Sequence, residues 1–138
     1  MPRDYLDAAK RLYTDAESLF TANRYGSADH LFGLAAECAL LAALQRQSAR
    51  QDTNARRSTH APQQHPPHLP KLWDEFVRTL NGRLSKSWPR HNPFDGWFIS
   101  HRYESDRLFT MERTARYRKA AGLIRTLLNQ SNLLGVAL

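Results

Sequence analysis

Two residues at the start of an apolar segment have the types needed for acid–base chemistry on a phosphodiester. Arg24 and His30 are separated by five residues. An arginine can hold a phosphate through two hydrogen bonds, and a histidine can move a proton near neutral pH. The pair could therefore support metal-independent RNA cleavage, in which the ribose 2′-hydroxyl attacks the adjacent phosphate. The alternative is a chance spacing in a chain with 6 histidines, or an exposed capping role for both residues.

A carboxylate lies inside the most apolar part of the chain. Glu37 shares one helical face with His30 and Gly33, at positions i, i+3 and i+7. A buried carboxylate needs a cation or a hydrogen-bond donor, or its pKa rises, and Arg102 is the partner that we expect. Because Gly33 lacks a side chain, it can admit a neighbouring helix or a ligand. This face is either a polar cleft or a buried salt bridge that fixes the helix register.

A second polar cluster, His101-Arg102-Tyr103, comes just before the last apolar segment and could face the same cleft. In an enzyme, Arg102 would hold the scissile phosphate together with Arg24, and His101 could replace His30 as the proton carrier. In a binding protein, His101 and Tyr103 would contact the ligand.

Metal and cofactor sites are not expected. His60, His65 and His68 lie in a proline-rich segment with irregular spacing, and no cysteine or acid pair is near them. The single cysteine, Cys38, excludes an intramolecular disulfide. The sequence contains no glycine-rich phosphate loop and no HExxH motif.

Positive charge is unevenly distributed. The net charge is +7 and the pI is about 10.1. Residues 1–45 carry a net charge of −2, residues 46–92 of +6 and residues 93–138 of +3. This asymmetry favours a surface that faces a polyanion such as RNA, and solubility alone is the alternative. No continuous apolar run reaches the ~18 residues of a membrane span, so we expect a cytoplasmic protein with no membrane partner.

Apolar residues recur at helical spacing, which predicts an all-α protein with one domain over residues 1–138. The predicted helices cover residues 2–23, 27–47, 71–84 and 106–129. The second, with Ser27 as its N-cap, is the most apolar and should be central. The first and fourth helices each carry an apolar stripe; the stripes consist of Leu6, Ala9, Tyr13, Ala16 and Phe20, and of Leu108, Met111, Ala115, Leu123, Ile124, Leu127 and Leu128.

Two stretches between the helices differ in kind. Residues 48–66 are polar and end in prolines, which predicts a long flexible loop between the second and third helices. Residues 85–100 hold Trp88 and Trp97, which could stack on bases but more often anchor a loop of this type. The predicted fold is a four- to five-helix bundle with that long polar loop.

Three segments resemble parts of the bacterial HEPN-type domain: its second helix and the starts of its third and fourth helices. They are Arg24-Tyr25-x2-Ala28-x-His30-Leu31-x-Gly33-Leu34-Ala35-x-Glu37-Cys38-Ala39-Leu40, His68-x2-Lys71-Leu72-Trp73 and Trp97-x4-Arg102-Tyr103. The resemblance adds His68 and Lys71 to the candidate binding residues.

The resemblance implies a helical bundle, commonly a homodimer, of toxin–antitoxin, phage-defence and CRISPR-linked systems. Active members are metal-independent RNases with an Arg-x4-6-His motif near the start of the last long helix. Here no histidine follows Arg102 or Arg107 at that spacing. We therefore expect an RNA-binding or assembly subunit, with a metal-independent endoribonuclease as the alternative. The implied partners are RNA, a second copy of the chain, and a nucleotidyltransferase or CRISPR-type defence protein.

Overall fold

A computed structural model describes residues 3–55, 68–80, 89 and 91–129. All regular structure within them is helical. The elements are α1 (Tyr5–Thr21), α2 (Tyr25–Ala55), α3 (Leu69–Leu80), the short 3₁₀ helices η1 (Ile99–Tyr103) and η2 (Asp106–Leu108), and α4 (Met111–Asn129). The predicted all-α bundle is confirmed. Predictions for residues 56–66, 81–88 and 130–138 lie outside the described residues.

The other elements pack around α2. α1, α3, α4, η1 and η2 all contact it, and α1 also contacts α4. Small side chains let these neighbours approach the α2 backbone closely. The buried apolar residues of α2 are Ala28, Phe32, Ala35, Ala36, Ala39, Leu40, Ala42 and Ala43. The prediction of a central second helix is thus confirmed.

By length and composition alone, part of α2 could cross a membrane. The segment Tyr25–Arg46 has a mean hydropathy of 1.3, and 56% of its most apolar window is buried inside the bundle. A search for continuous apolar runs missed it, because charged residues interrupt the segment. A helix covered by neighbours on most sides needs the same apolar composition. The absence of a membrane partner stays a prediction.

The turn between α1 and α2 is built around a left-handed residue. Asn23 has φ 61°, a conformation that asparagine tolerates better than most residues. Its N–H donates to Phe20 O at 3.0 Å, and the N–H of Arg24 donates to Leu19 O at 2.9 Å. These two bonds form a Schellman motif, which ends α1. α2 begins directly after Arg24, so the predicted N-cap at Ser27 is wrong.

The other helix boundaries also differ from the prediction. α2 continues to Ala55, so residues 48–55 are helical rather than part of a loop. This stretch contains neither proline nor glycine, and the first proline after it is Pro62. α3 begins at Leu69, before Pro70, because the first turn of a helix does not need the N–H that proline lacks.

α4 begins at Met111, five residues later than predicted, because Thr110 caps it. The Thr110 hydroxyl accepts from the N–H of Arg113 at 3.1 Å. Met111 is half exposed at the first turn, so its assignment to the buried stripe is wrong. The preceding residues form η1 and η2, in which Arg102, Tyr103 and Arg107 are exposed whereas Ile99, His101 and Leu108 are half-buried.

The segment before η1 is held on the bundle by its aromatic residues. Phe94 and Trp97 are fully buried, which confirms that these aromatics anchor the loop. Asn92 donates to Pro70 O at 2.7 Å and accepts from the N–H of Phe94 at 2.8 Å. These contacts fix the position from which η1 starts.

Candidate functional site

Trp97 occupies the space that Gly33 leaves open on α2. A Cβ at Gly33 would overlap the Trp97 indole ring. The indole N–H donates to the backbone oxygen of Asp29 at 3.1 Å. The His30 ring lies nearly parallel to the indole, with ring centroids 6.2 Å apart. The space predicted at Gly33 is therefore filled by a loop side chain rather than by a helix or a ligand. The Trp97 side chain thereby holds η1 against the start of α2.

A buried ion pair lies between α2 and α4. Arg113 Nε donates to Asp29 Oδ2 at 2.9 Å, and the two side chains are only 13% and 1% exposed. The guanidinium also lies over the rings of Phe109 and Tyr117, 5.7 and 5.2 Å from their centroids. Burial raises the pKa of Asp29 from its ordinary value, and Arg113 acts in the opposite direction. The guanidinium is thus fixed on several sides.

Arg113 also contacts η1. Its Nη2 lies 2.9 Å from Nδ1 of His101, a half-buried residue. The His101 ring meets Phe98 edge-on, with centroids 5.3 Å apart. A chain of polar contacts thus runs from Asp29 on α2 through Arg113 on α4 to His101 on η1.

His30 lies beside this chain. Burial lowers the pKa of His30 from its ordinary value of 6.5, the Arg102 guanidinium lowers it further, and Asp29 acts in the opposite direction. His30 is therefore neutral at pH 7 and can accept a proton.

Arg102 and Tyr103 form an exposed pair at the end of η1. Arg102 Nη2 donates to the Tyr103 hydroxyl at 2.8 Å, and its guanidinium lies 4.8 Å from the centre of the tyrosine ring. Tyr103 is 76% exposed, the most exposed of the large apolar or aromatic side chains in the described part of the chain. The pair offers solvent an aromatic face next to a positive charge.

Arg24 is not part of this group. It is exposed in the turn before α2. Six positions along a helix correspond to a rotation of roughly 600°, which leaves Arg24 and His30 about 120° apart around the axis. Within the described residues, no contact joins the Arg24 side chain to His30. The structure thus places His101, Arg102 and Tyr103 on η1, with Arg102 acting electrostatically on His30, and leaves Arg24 outside this group.

Glu37, His68 and Lys71 belong to a second place in the fold. Glu37 Oε1 lies 3.6 Å from Nδ1 of His68, directly before α3. Burial raises the pKa of Glu37 from its ordinary value, and His68 and a hydrogen bond to the Leu69 backbone act in the opposite direction. A carboxylate is also favoured at a helix N-terminus. Glu37 therefore joins α2 to α3, whereas Lys71 is exposed.

The expected partner of Glu37 was wrong. Arg102 lies on η1 and bonds to Tyr103, not to Glu37. Glu37 and His30 are seven positions apart, which is about 10 Å along the helix axis. Among the described residues, the group that faces Glu37 is the imidazole of His68, which is 69% exposed, rather than a buried arginine.

Sequence reasoning missed Asp29 and Arg113. A usable signal exists: Arg113 lies four residues before Tyr117 and eleven before Ile124, on the stripe of α4 that is buried. An arginine on an apolar stripe requires an anion on the facing helix. Asp29 was overlooked because it borders the polar start of α2.

No group of three His, Cys, Asp or Glu side chains in the described segments could hold a metal ion, and His60 and His65 lie outside them. The chain matches no protein-family model, no curated protein and no solved structure.

Proposed function

We propose that this chain is a HEPN-like helical-bundle protein that binds single-stranded RNA at η1, as an RNA-binding or assembly subunit. The observation that carries the proposal is the exposed pair of Arg102 and Tyr103. An aromatic face can stack on any base, and an adjacent guanidinium can contact the neighbouring phosphate.

The position of the pair supports this proposal. η1 follows directly on the buried Trp97, and its His101 contacts the fixed Arg113. A binding surface that is already ordered loses less conformational entropy when a ligand binds. An exposed tyrosine by itself is common on protein surfaces. A tyrosine whose ring is covered by an arginine, on a turn anchored to the bundle, is a more specific sign of a binding surface than an exposed tyrosine alone.

The charge of the following segment also supports an anionic ligand. Arg107, Arg116 and Lys119 are exposed on η2 and α4, and no ion pair joins them to a described acid. Arg116 and Lys119 are three positions apart and share one face of α4. An RNA strand that extends beyond η1 could contact these additional positive side chains.

The cellular setting rests on the resemblance to HEPN-type domains. The setting that we propose is a toxin–antitoxin or antiviral defence system in the bacterial cytoplasm. The proposed protein partners are a second copy of the chain and a nucleotidyltransferase or CRISPR-type component.

The test is fluorescence anisotropy with a labelled, unstructured RNA oligonucleotide at low salt. Tyr103→Ala should weaken binding by roughly 5- to 150-fold, because loss of one stacked base corresponds to about 1–3 kcal/mol. Tyr103→Phe keeps the ring and should bind nearly as wild type. Arg102→Gln should weaken binding, whereas Arg11→Gln, which removes an exposed arginine from α1, should not. Equal affinities for all four variants would contradict the proposal.

A metal-independent endoribonuclease is the second candidate, because burial and the exposed Arg102 guanidinium lower the pKa of His30 and so keep its imidazole neutral. Arg102 would hold the scissile phosphate, and His30 would accept the proton of the 2′-hydroxyl as its oxygen bonds to phosphorus. The bond from phosphorus to the 5′-oxygen then breaks, and this oxygen leaves with a proton from water. Wild-type protein should then cleave RNA in the presence of EDTA. His30→Gln should abolish cleavage while RNA affinity changes little. Wild-type protein without cleavage on a broad set of RNAs, or an active His30→Gln, rules this candidate out.

A further inference from the structure

We propose that Arg113, fixed by Asp29, is a positioning residue that holds His101 with its ring proton on Nε2, so that His101 donates a hydrogen bond to a phosphate of the RNA bound at Arg102 and Tyr103. This inference rests on the proposed RNA binding at η1 and names the group that the site recognises.

The chemistry of arginine decides the direction of the hydrogen bond between Arg113 and His101. A guanidinium has five N–H donors and no acceptor. Because Arg113 Nη2 lies 2.9 Å from His101 Nδ1, that nitrogen must be the acceptor and carries no proton. A neutral imidazole then bears its proton on the other nitrogen, Nε2. Arg113 therefore determines the tautomer of His101.

Arg113 is held firmly by the residues around it. Its Nε is bonded to the buried Asp29, and its planar group lies over Phe109 and Tyr117. Rotating Arg113 away from His101 would leave the Asp29 carboxylate without its cation inside the bundle. That is strongly unfavourable, so the His101 contact is a property of the folded core rather than of a mobile surface side chain.

The remaining N–H groups of His101 and Arg102 are free. Nothing in the described part of the chain accepts a hydrogen bond from His101 Nε2, and the one hydrogen bond of the Arg102 guanidinium there runs from Nη2 to Tyr103. Both residues belong to η1, so a ligand at this element meets both donors.

A phosphate oxygen is the ligand that fits these donors. Charged and neutral N–H groups side by side match an anion with several acceptor atoms. A phosphodiester of RNA and free inorganic phosphate share this chemistry. The Tyr103 ring beside the donors favours the nucleic acid, because only a nucleotide brings a base to stack on it.

The tautomer can be read directly by long-range ¹H–¹⁵N NMR on the labelled full chain, with His101 assigned by its loss in His101→Gln. We expect an Nε2–H imidazole in the free protein. The RNA oligonucleotide should shift the Nε2 resonance, and inorganic phosphate should do so only at much higher concentration. A predominant Nδ1–H form in the free protein overturns the inference, as does an equal response to RNA and to phosphate.

Substitutions separate positioning from direct contact. Arg113→Gln should remove the preference of His101 for the Nε2–H tautomer and weaken RNA binding by about 3- to 10-fold. If Arg113→Gln does not fold, the uncharged pair Asp29→Asn/Arg113→Gln replaces it. The amide nitrogen of His101→Gln reaches as far as Nε2, so this variant should bind RNA better than His101→Asn, and His91→Gln should bind as wild type.

The two proposals fail in different ways. A wild-type protein that does not bind RNA overturns the proposed function, whatever the tautomer is. Intact RNA binding by an Arg113 variant whose His101 has lost its tautomer preference overturns only the inference about Arg113.

Discussion

Two of the ion pairs in the described residues lie in very different surroundings: Asp29–Arg113 and Glu17–Arg118. The Asp29–Arg113 pair has an N–O distance of 2.9 Å and is almost entirely buried. The Glu17–Arg118 pair has two bonds, of 2.7 and 2.9 Å, but its side chains are 31% and 45% exposed. Water and salt screen the exposed pair, whereas the buried guanidinium depends on its single carboxylate.

The two pairs should therefore differ in what their loss does to stability. Asp29→Ala should lower the free energy of unfolding by about 3 kcal/mol, because it leaves a buried guanidinium without an anion. Glu17→Ala should lower it by less than about 1 kcal/mol. Urea unfolding followed by circular dichroism measures both. Equal losses would show that the Asp29–Arg113 pair is not buried as described.

His30 should make stability depend on pH. Its pKa is lower in the folded protein than its ordinary value of 6.5. Its contribution to the free energy of unfolding is therefore complete above pH 6.5 and is lost as the pH falls through the folded-state pKa. Asp29 and Glu37, whose pKa values are raised, act oppositely: their contributions are lost as the pH rises above their ordinary values of 3.8 and 4.5.

The difference in stability between wild type and His30→Gln isolates the contribution of His30. Wild type should lose stability relative to His30→Gln as the pH falls below 6.5, in urea unfolding at a series of pH values. His91→Gln, at an exposed position, serves as the control and should run parallel to wild type. A wild-type curve parallel to that of His30→Gln would show that His30 is not held neutral.

Among the elements, η1 depends most on a single packing contact. Its start is fixed by the Trp97 ring on Gly33, where no other residue type fits without movement. Gly33→Ala would push a methyl group into the ring. At Gly96, an added Cβ meets only the Tyr117 hydroxyl, at an ordinary distance of 3.5 Å.

Gly33→Ala should therefore lower the free energy of unfolding by about 1–3 kcal/mol, as overpacking of a core does. Gly96→Ala should change it by less than about 0.5 kcal/mol. Thermal unfolding by calorimetry compares the two variants. An unchanged melting temperature for Gly33→Ala would mean that Trp97 is not seated on α2.

The helices could be predicted from sequence because their signals are local. The stripe of α1 was correct: Ala9 and Ala16 are buried, and Tyr13 packs against the core. The predicted ends of the helices were less accurate. The Schellman turn at Asn23 and the cap at Thr110 each depend on a few backbone hydrogen bonds, which apolar periodicity does not report.

At the scale of the whole molecule, the site was only half predictable. The cluster of His101, Arg102 and Tyr103 was visible because its residues are adjacent in sequence. The pair of Asp29 and Arg113 is separated by 84 positions, and no periodicity within one element connects them. Only the packing of α4 on α2 decides that Asp29, and not Glu37, receives the arginine.

The number of phosphates that the protein contacts should set how steeply its affinity for RNA depends on salt. With a net charge of +7, binding should weaken as salt rises, with a log–log slope of about 0.7 for each phosphate contacted. Arg102→Gln should reduce the slope by roughly one such unit. Anisotropy titrations at four or more salt concentrations measure it. A slope near zero would remove nucleic acid from the list of partners.

The contact between Trp97 and the Asp29 backbone spans 68 positions, and this separation has a kinetic consequence. α1 and α2 are joined by a three-residue turn and can pair early in folding, whereas Trp97 must close a long loop first. We expect α1 and α2 to gain protection first in pulsed hydrogen exchange during refolding. The amides of η1 should gain protection after those of α1 and α2, so the RNA-binding surface should assemble only once these two helices have paired.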